Sequence, residues 1–215
     1  MTGDGALLRV FVTGTDTGVG KTVVSAVLAA GLSAIYWKPV QSGLDGPTDT
    51  DLVREMTGLP ADRFLPEAWT LKEPLSPHAA AALEGRTIRL SDFSLPETAP
   101  EASLVVEGAG GIMVPINDRH FMLDVMERLG LPVVLVCRSG LGTINHSLLS
   151  LAALRGRNIP VLGAVMNGPP NPGNREAIEA YGKIPVLAEL PPLASLAPGV
   201  VRQAFHQYFR LPQAT

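Results

Sequence analysis

The chain has little of what a secreted, zinc-bound or membrane-spanning protein needs. One cysteine stands among 215 residues, so an internal disulfide is excluded, and the place of Cys137 in the apolar run Pro132–Cys137 reads as a buried core thiol. Charge is sparse as well: Asp, Glu, Lys and Arg make up 17% and sum to −3, which gives no electrostatic case for a nucleic-acid partner. The four histidines, His78, His120, His146 and His206, show no close ligand pairing of the kind a zinc site uses. No apolar run approaches a membrane span, and Met1–Gly5 lacks a basic segment followed by an apolar signal region. A cytoplasmic protein with no membrane and no nucleic-acid partner is expected. With 46% apolar residues and no internal repeat, residues 1–215 read as a single globular domain.

What is present is organised around Val10–Thr22. The apolar Val10-Phe11-Val12 runs into Thr13-Gly14-Thr15-Asp16-Thr17-Gly18-Val19-Gly20-Lys21-Thr22, and the apolar Val23-Val24-Ser25-Ala26-Val27-Leu28 follows. Strand, glycine loop and helix in that order make a phosphate-binding loop. Its glycines let backbone N–H groups converge on phosphate oxygens, and the helix start adds unpaired N–H groups and a positive dipole end. Lys21 supplies a point charge to the outer phosphates, and the Thr22 hydroxyl is a ligand for Mg²⁺. Five residues, not the common four, separate Gly14 from Gly20, so the loop is a variant. The bland alternative is a tight strand-to-helix turn with an exposed lysine; Gly-Lys-Thr directly after a hydrophobic strand argues against it.

Along the chain, a helix from about Lys21 to Ala30 is expected to end at Gly31, with a strand over Ala34–Lys38 behind it. Pro39 biases Lys38 toward extended backbone, which puts this lysine at the strand's carboxyl end, the edge where ligands bind in open α/β sheets. A short helix from Thr50 to about Met56 comes next, with Asp49 or Asp51 available to cap it. Pro66–Pro77 reads as irregular, and Ser76 then caps a helix that Pro77 opens and Gly85 closes. Ser103–Glu107 is a solid apolar strand ending on a carboxylate and opening into Gly108-Ala109-Gly110-Gly111. A carboxylate at that edge is costly unless it meets a cation, the alternative being a turn or capping role. A helix over Met122–Leu129, the strand Pro132–Cys137 and a helix over Asn145–Arg155 follow. So do a strand over Val161–Met166, a helix near Arg175–Tyr181, the strand Ile184–Leu190 and a last helix over Val200–Phe209. Gly142–Asn145 presents a second helix N-terminus, open either to an anion or to plain capping by Thr143 or Asn145.

Strands alternating with helices imply a three-layer α/β fold, a mostly parallel central sheet flanked by helices. Strand ends then gather Lys21, Thr22, Lys38, Asp51 and Glu107. The oxygens of Thr22, Asp51 and Glu107 suit Mg²⁺ as the metal, while two lysines can neutralise charge that develops in phosphoryl transfer. Lys38 exceeds what a plain nucleotide binder needs and points to a second anionic group near the γ-phosphate.

Four segments, Thr13–Thr22, Lys38-Pro39-Val40-Gln41-Ser42-Gly43, Val106–Gly111 and Leu141-Gly142-Thr143-Ile144-Asn145-His146, resemble those of the dethiobiotin synthetase family within the P-loop ATPases. The resemblance implies a P-loop NTPase-like fold and an ATP-dependent ligase of biotin biosynthesis. In that reaction 7,8-diaminopelargonate takes up CO₂ as a carbamate, ATP phosphorylates the carbamate, and the neighbouring amine closes the ring to dethiobiotin, ADP and phosphate. Carried over, Lys21 and Lys38 are catalytic, Mg²⁺ is held by Thr22, Asp51 and Glu107, and Ser42 contacts substrate. ATP is bound by Gly18, Val19, Gly20, Lys21, Thr22 and Val23, by Asp51, and by Glu107, Gly108, Ala109 and Gly110. Asn167 reads adenine with Gly168 and Pro191, Pro192 and Leu193 beside it, since an amide matches the base's donor and acceptor. A homodimer is implied too. A physical argument agrees: the substrate's distant carboxylate needs its own anion site, which Thr143, Ile144 and Asn145 of a partner subunit would supply in a composite, isologous arrangement.

The chain departs from the family pattern in three places. Gly18 stands where some relatives carry glutamate, the first helix is short, and no acidic residue lies near Pro198-Gly199 to meet ribose. A second reading is a nucleotide-switch ATPase of the partition type. Such proteins usually carry another lysine in the loop, where this chain has Thr15, Asp16 and Thr17, and end in a cationic amphipathic helix. A third, an amide-forming ligase, would want a fused amidase domain with a catalytic cysteine.

Overall fold

The structure is a computed structural model that describes residues 7–211; the reading of Met1–Gly5 lies outside the described residues. β1 (Arg9–Gly14) leads through the glycine loop into α1 (Lys21–Leu32), which a left-handed Ser33 closes at φ 48°. The helix therefore closes two residues beyond the expected stop at Gly31. β2 (Ile35–Trp37) and β3 (Val40–Ser42) flank Lys38-Pro39, followed by α2 (Asp49–Thr57), β4 (Phe64–Leu65), β5 (Trp69–Leu71) and α3 (Pro77–Leu83). β6 (Leu104–Gly111), α4 (Met122–Leu129), β7 (Val133–Arg138), α5 (Thr143–Gly156), β8 (Val161–Asn167), α6 (Pro172–Gly182), β9 (Val186–Leu190) and α7 (Pro198–Tyr208) complete the chain.

Seven strands form one parallel sheet in the order β4-β2-β6-β1-β7-β8-β9, and β3 pairs in parallel with β5 in a separate two-stranded sheet. The separate pair lies partly in Pro66–Pro77, expected to be irregular. Alternate residues of the main sheet face opposite layers, as strand geometry requires. Val10, Val12, Tyr36, Val105, Val134 and Val136 pack with α1, α2 and α7. Phe11, Trp37, Val106, Leu135 and Cys137 pack with α3, α4, α5 and α6 on the other side. The expected three-layer architecture is the one observed. β1 sits between β6 and β7, so the strand order reverses beside it, and the crevice beyond the strand ends at such a reversal is where α/β sheets take ligands.

α7 docks on α1 with Val201 and Ala204 buried and Phe205 set against Gly31. A Cβ at Gly31 would collide with the Phe205 ring. In an open helix, glycine to alanine gains about 1 kcal/mol. Here overpacking, typically about 1–3 kcal/mol, opposes that gain and exceeds it. Gly31→Ala is therefore expected to lower the melting temperature, and Gly31→Ala/Phe205→Ala to recover part of the loss; a more stable Gly31→Ala would show that the helices can slide apart freely.

Candidate active site

The glycine loop arches between β1 and α1 with Gly18 and Gly20 in left-handed conformations, φ 70° and 94°. Gly20 is the N-cap of α1, so Lys21 begins the helix, and its side chain bends back to donate to the Asp16 carbonyl at 3.0 Å. Behind the loop the Asn167 amide donates to the Val19 carbonyl at 3.0 Å. On its outer side Arg138 reaches the Asp16 carboxylate at 3.2 Å, an exposed pair of small energetic weight.

Lys38 lies between the end of β2 and the start of β3 and is 3% exposed, more enclosed than a strand-end lysine is expected to be. Its ammonium bonds to Asp49 Oδ2 at 2.6 Å, to Glu107 Oε1 at 3.0 Å and to the Gly108 carbonyl at 3.1 Å. The cation that Glu107 was expected to need is thus Lys38. Thr22 Oγ1 lies 2.9 Å from Asp49 Oδ1 and 3.0 Å from Glu107 Oε1. One hydroxyl proton cannot serve two carboxylates at once, so the spot has more acceptors than donors. On the far oxygen of Glu107, the Tyr36 hydroxyl donates at 2.9 Å from a fully buried ring.

The two lysines differ in electrostatics. Burial pulls the Lys21 ammonium down to about 8, and the nearby charge of Lys38 pushes the same way. Burial would also lower Lys38, but Glu107 and then Asp49 outweigh it and hold its pKa above the ordinary lysine value. Asp49, which burial alone would raise, is lowered by the charge and hydrogen bond of Lys38. Burial first, and Glu107 next, keep the Tyr36 phenol well above its usual range, so it remains the donor.

Asp51 does not join this cluster. Its carboxylate accepts from the Thr48 hydroxyl at 2.7 Å and the Thr48 backbone N–H at 3.1 Å, closing a capping box at the start of α2, and its side chain is half exposed. Asp49 stands in the expected place instead, its backbone N–H held by the Gln41 side chain at 3.0 Å. The Thr48-Asp49-Thr50-Asp51 pattern carried the signal. A threonine followed three residues later by an acid spends that acid on capping and leaves the other one free.

Gly18, Gly20, Lys21, Thr22, Lys38, Ser42, Asp49, Glu107, Ala109 and Gly110 line a cavity of about 560 Å³, closed on one side by Pro74–Pro77. Ser42 Oγ is buried and meets no partner among the described residues. Val19 is buried beneath the loop and Val23 half-buried on α1, while Gly108 contributes the carbonyl that Lys38 holds. Asn167, Gly168 and Pro191–Leu193 share the carboxyl edge of the sheet, where the Gly168 N–H bonds to the Leu190 carbonyl at 2.9 Å. They do not line the 560 Å³ cavity. Nor do Thr143, Ile144 and Asn145. Gly142, not Thr143 or Asn145, is the N-cap of α5, and the Thr143 hydroxyl is buried with no hydrogen-bond partner among the described residues. The Thr143 side chain is buried, which leaves its backbone N–H as the group it can offer a ligand, and Asn145 is exposed. A second cavity of about 280 Å³ lies between the loop residues Thr15–Thr17, Met113 and Leu149 of α5.

A parallel sheet whose glycine loop caps a helix beginning Lys-Thr defines a P-loop nucleotide-binding protein. A family model described as an AAA domain matches residues 8–199. The chain is 55% identical over 192 residues to the ATP-dependent dethiobiotin synthetase BioD of Paramagnetospirillum magneticum, covering 89% of this chain and 92% of that one. With the protein of the same description from Nitrobacter hamburgensis it shares 49% over 203 residues, 94% and 95% of the two chains. A biotin biosynthesis bifunctional protein BioCD of Bordetella avium is 57% identical over 185 residues, and the match spans 39% of that longer protein. The chain belongs to the ATP-dependent dethiobiotin synthetase family. A ParA family ATPase from Chlorobium tepidum superposes with TM-score 0.51 at 12% identity over 93% of this chain and 99% of that one, a likeness of fold alone.

Proposed function

We infer that this chain closes 7,8-diaminopelargonate with CO₂ into dethiobiotin at the expense of ATP, releasing ADP and phosphate. The observation that carries the reading is a buried ammonium, Lys38, fixed beside the Lys21-Thr22 pair on the floor of a 560 Å³ cavity. A nucleotide binder needs the P-loop lysine only; a second cation placed there suits an anionic acceptor, the carbamate of the substrate, approaching the γ-phosphate. Lys21 would balance charge on the transferring phosphoryl group and Lys38 would draw in and orient the carbamate. The unpartnered Ser42 hydroxyl offers the substrate a hydrogen bond, and a buried hydroxyl left without one costs about 1–3 kcal/mol. The neighbouring amine of the substrate then attacks the carbonyl carbon of the mixed anhydride and expels phosphate.

The oxygen donors Thr22 Oγ1, Asp49 Oδ1 and Glu107 Oε1 meet at one acceptor-rich point and fit Mg²⁺, which is held through one or two carboxylates together with substrate phosphates and supplies charge neutralisation there. Among the described residues no three His, Cys, Asp or Glu side chains cluster as a metal cage, which accords with an ion that arrives with its nucleotide. Asn167, Gly168 and Pro191–Leu193 are proposed to take adenine. The N-terminus of α5, through Thr143, Ile144 and Asn145, is proposed to take the substrate carboxylate of a partner subunit in a homodimer. The exposed apolar Leu141 just ahead of α5, Leu149 on it and Met113 opposite support that arrangement. We place the enzyme in the cytoplasm; among the described residues no helix is long and apolar enough to cross a membrane. The reaction is tested by incubating the protein with diaminopelargonate, bicarbonate, Mg²⁺ and ATP and weighing dethiobiotin by mass spectrometry, with light scattering of the active species. Absence of product would return the partition-type reading.

Lys21 adds a pH signature. Its ammonium is charged below about pH 8 in the free protein, and phosphate favours the charged form, so the bound lysine titrates higher. ATP affinity is therefore expected to fall as pH rises through 8, by up to about tenfold per pH unit, with proton uptake on binding. Calorimetry in buffers of different ionisation enthalpy reads that proton; a flat affinity from pH 7 to 9 without uptake would contradict it.

A further inference from the structure

Glu107 is 1% exposed, and the two oxygens of its carboxylate are claimed from opposite sides. Oε1 turns to Lys38 and Thr22, both at 3.0 Å, and Oε2 accepts from Tyr36 at 2.9 Å. Tyr36 pairs with Val105 across β2 and β6, so it lies on the same face as Glu107, two residues further along β6. Its ring is fully buried and packs at 6.2 Å from Phe64, which itself lies under the Arg54 guanidinium at 5.1 Å. The phenol therefore has a fixed position. A glutamate's last torsion is soft and roughly two-fold, so without an anchor the carboxylate would turn. For the core alone phenylalanine would serve at this position; the hydroxyl adds something only through Glu107.

We propose that Tyr36 is a positioning residue for the divalent cation, holding Glu107 Oε2 so that the carboxylate meets the P-loop through Oε1 alone. One-oxygen presentation suits small, octahedral Mg²⁺, whereas Ca²⁺ readily takes carboxylates through both oxygens in a larger shell. Tyr36 thus sets the strength of Mg²⁺ binding and its preference over Ca²⁺. Partners that orient a metal ligand typically matter by about 10–100-fold in metal affinity. The inference rests on the assignment of Glu107 as a cation ligand.

The test is Tyr36→Phe in the full chain, with ATP binding measured by calorimetry in Mg²⁺, in Ca²⁺ and in EDTA. Affinity in EDTA is expected to stay within about twofold, affinity in Mg²⁺ to fall about tenfold, and the Mg²⁺-over-Ca²⁺ preference to narrow. In a Glu107→Gln background, Tyr36→Phe is expected to cause no further metal-dependent loss. Equal losses with and without metal, or none, would overturn the proposal. So would a Tyr36→Phe chain that folds only when Glu107→Gln is added, because the hydroxyl would then merely satisfy a buried charge. If Glu107→Gln alone leaves the Mg²⁺ dependence intact, it is the cation assignment that fails, and the role of Tyr36 falls with it.

Discussion

Lys38→Ala is expected to reduce dethiobiotin formation by on the order of a hundredfold or more, the loss of about 3 kcal/mol that follows removal of one preorganised electrostatic contact. Its effect is not confined to the chemistry. Lys38 is buried and its partner Glu107 more so, and removal of one member of a buried pair costs about 3–5 kcal/mol because the other charge is stranded. Loss of turnover and loss of stability must therefore be separated. The double variant Lys38→Ala/Glu107→Gln removes the stranded charge and is expected to regain much of the stability and none of the turnover, read by urea denaturation and by mass spectrometry of product. Turnover that returned with stability would make Lys38 a structural counter-ion and nothing more.

Gly20→Ala is expected to weaken ATP binding by on the order of a hundredfold, for a reason of backbone shape. Gly20 has φ 94°, and strain at such a position is typically about 1–3 kcal/mol for a residue with a Cβ. The added carbon would also run into the Asn167 amide, which braces the loop through the Val19 carbonyl. Both effects deform the row of N–H groups that faces the phosphates. Adding Asn167→Ala removes the collision and leaves the backbone strain, so nucleotide titration of the double variant is expected to show at most partial recovery. Wild-type affinity in Gly20→Ala would take the loop out of phosphate binding.

The loop, Lys38 and Glu107 were legible because each is announced by its neighbours in sequence: glycines before Lys-Thr, Pro39 behind Lys38, an apolar strand ahead of Glu107. β3 and β5 were not, since each is three residues long and paired only with the other across Gly43–Ala68, too short for any periodicity to show. The aspartates were legible as a pair and mistaken as individuals, because the capping box that consumes Asp51 also decides which carboxylate remains for Thr22. The burial of the Thr143 side chain was hidden for a different reason. Gly142 begins α5 in a left-handed turn that buries the first side chain of the helix, and the sequence showed a polar residue at a helix start without showing which way it faced. The role of Tyr36 was hidden because a tyrosine in an apolar strand looks like core until its hydroxyl is seen to meet a charge.

Lys38 and Lys21 bring two positive charges to the floor of the cavity, and Asp49 and Glu107 bring two negative ones. The pocket is therefore neutral before anything enters it, and its carboxylates are satisfied by a cation that the chain itself carries. Such a site needs no metal to balance its buried carboxylates. The internal ammonium acts as a place-holder. A divalent ion arriving with its own negatively charged nucleotide would be held by Thr22, Asp49 and Glu107, and in sharing those carboxylates it would free Lys38 to face the substrate. Metal entry and lysine availability would in this way be two sides of a single exchange, with the second cation offered to substrate only once the nucleotide is in place.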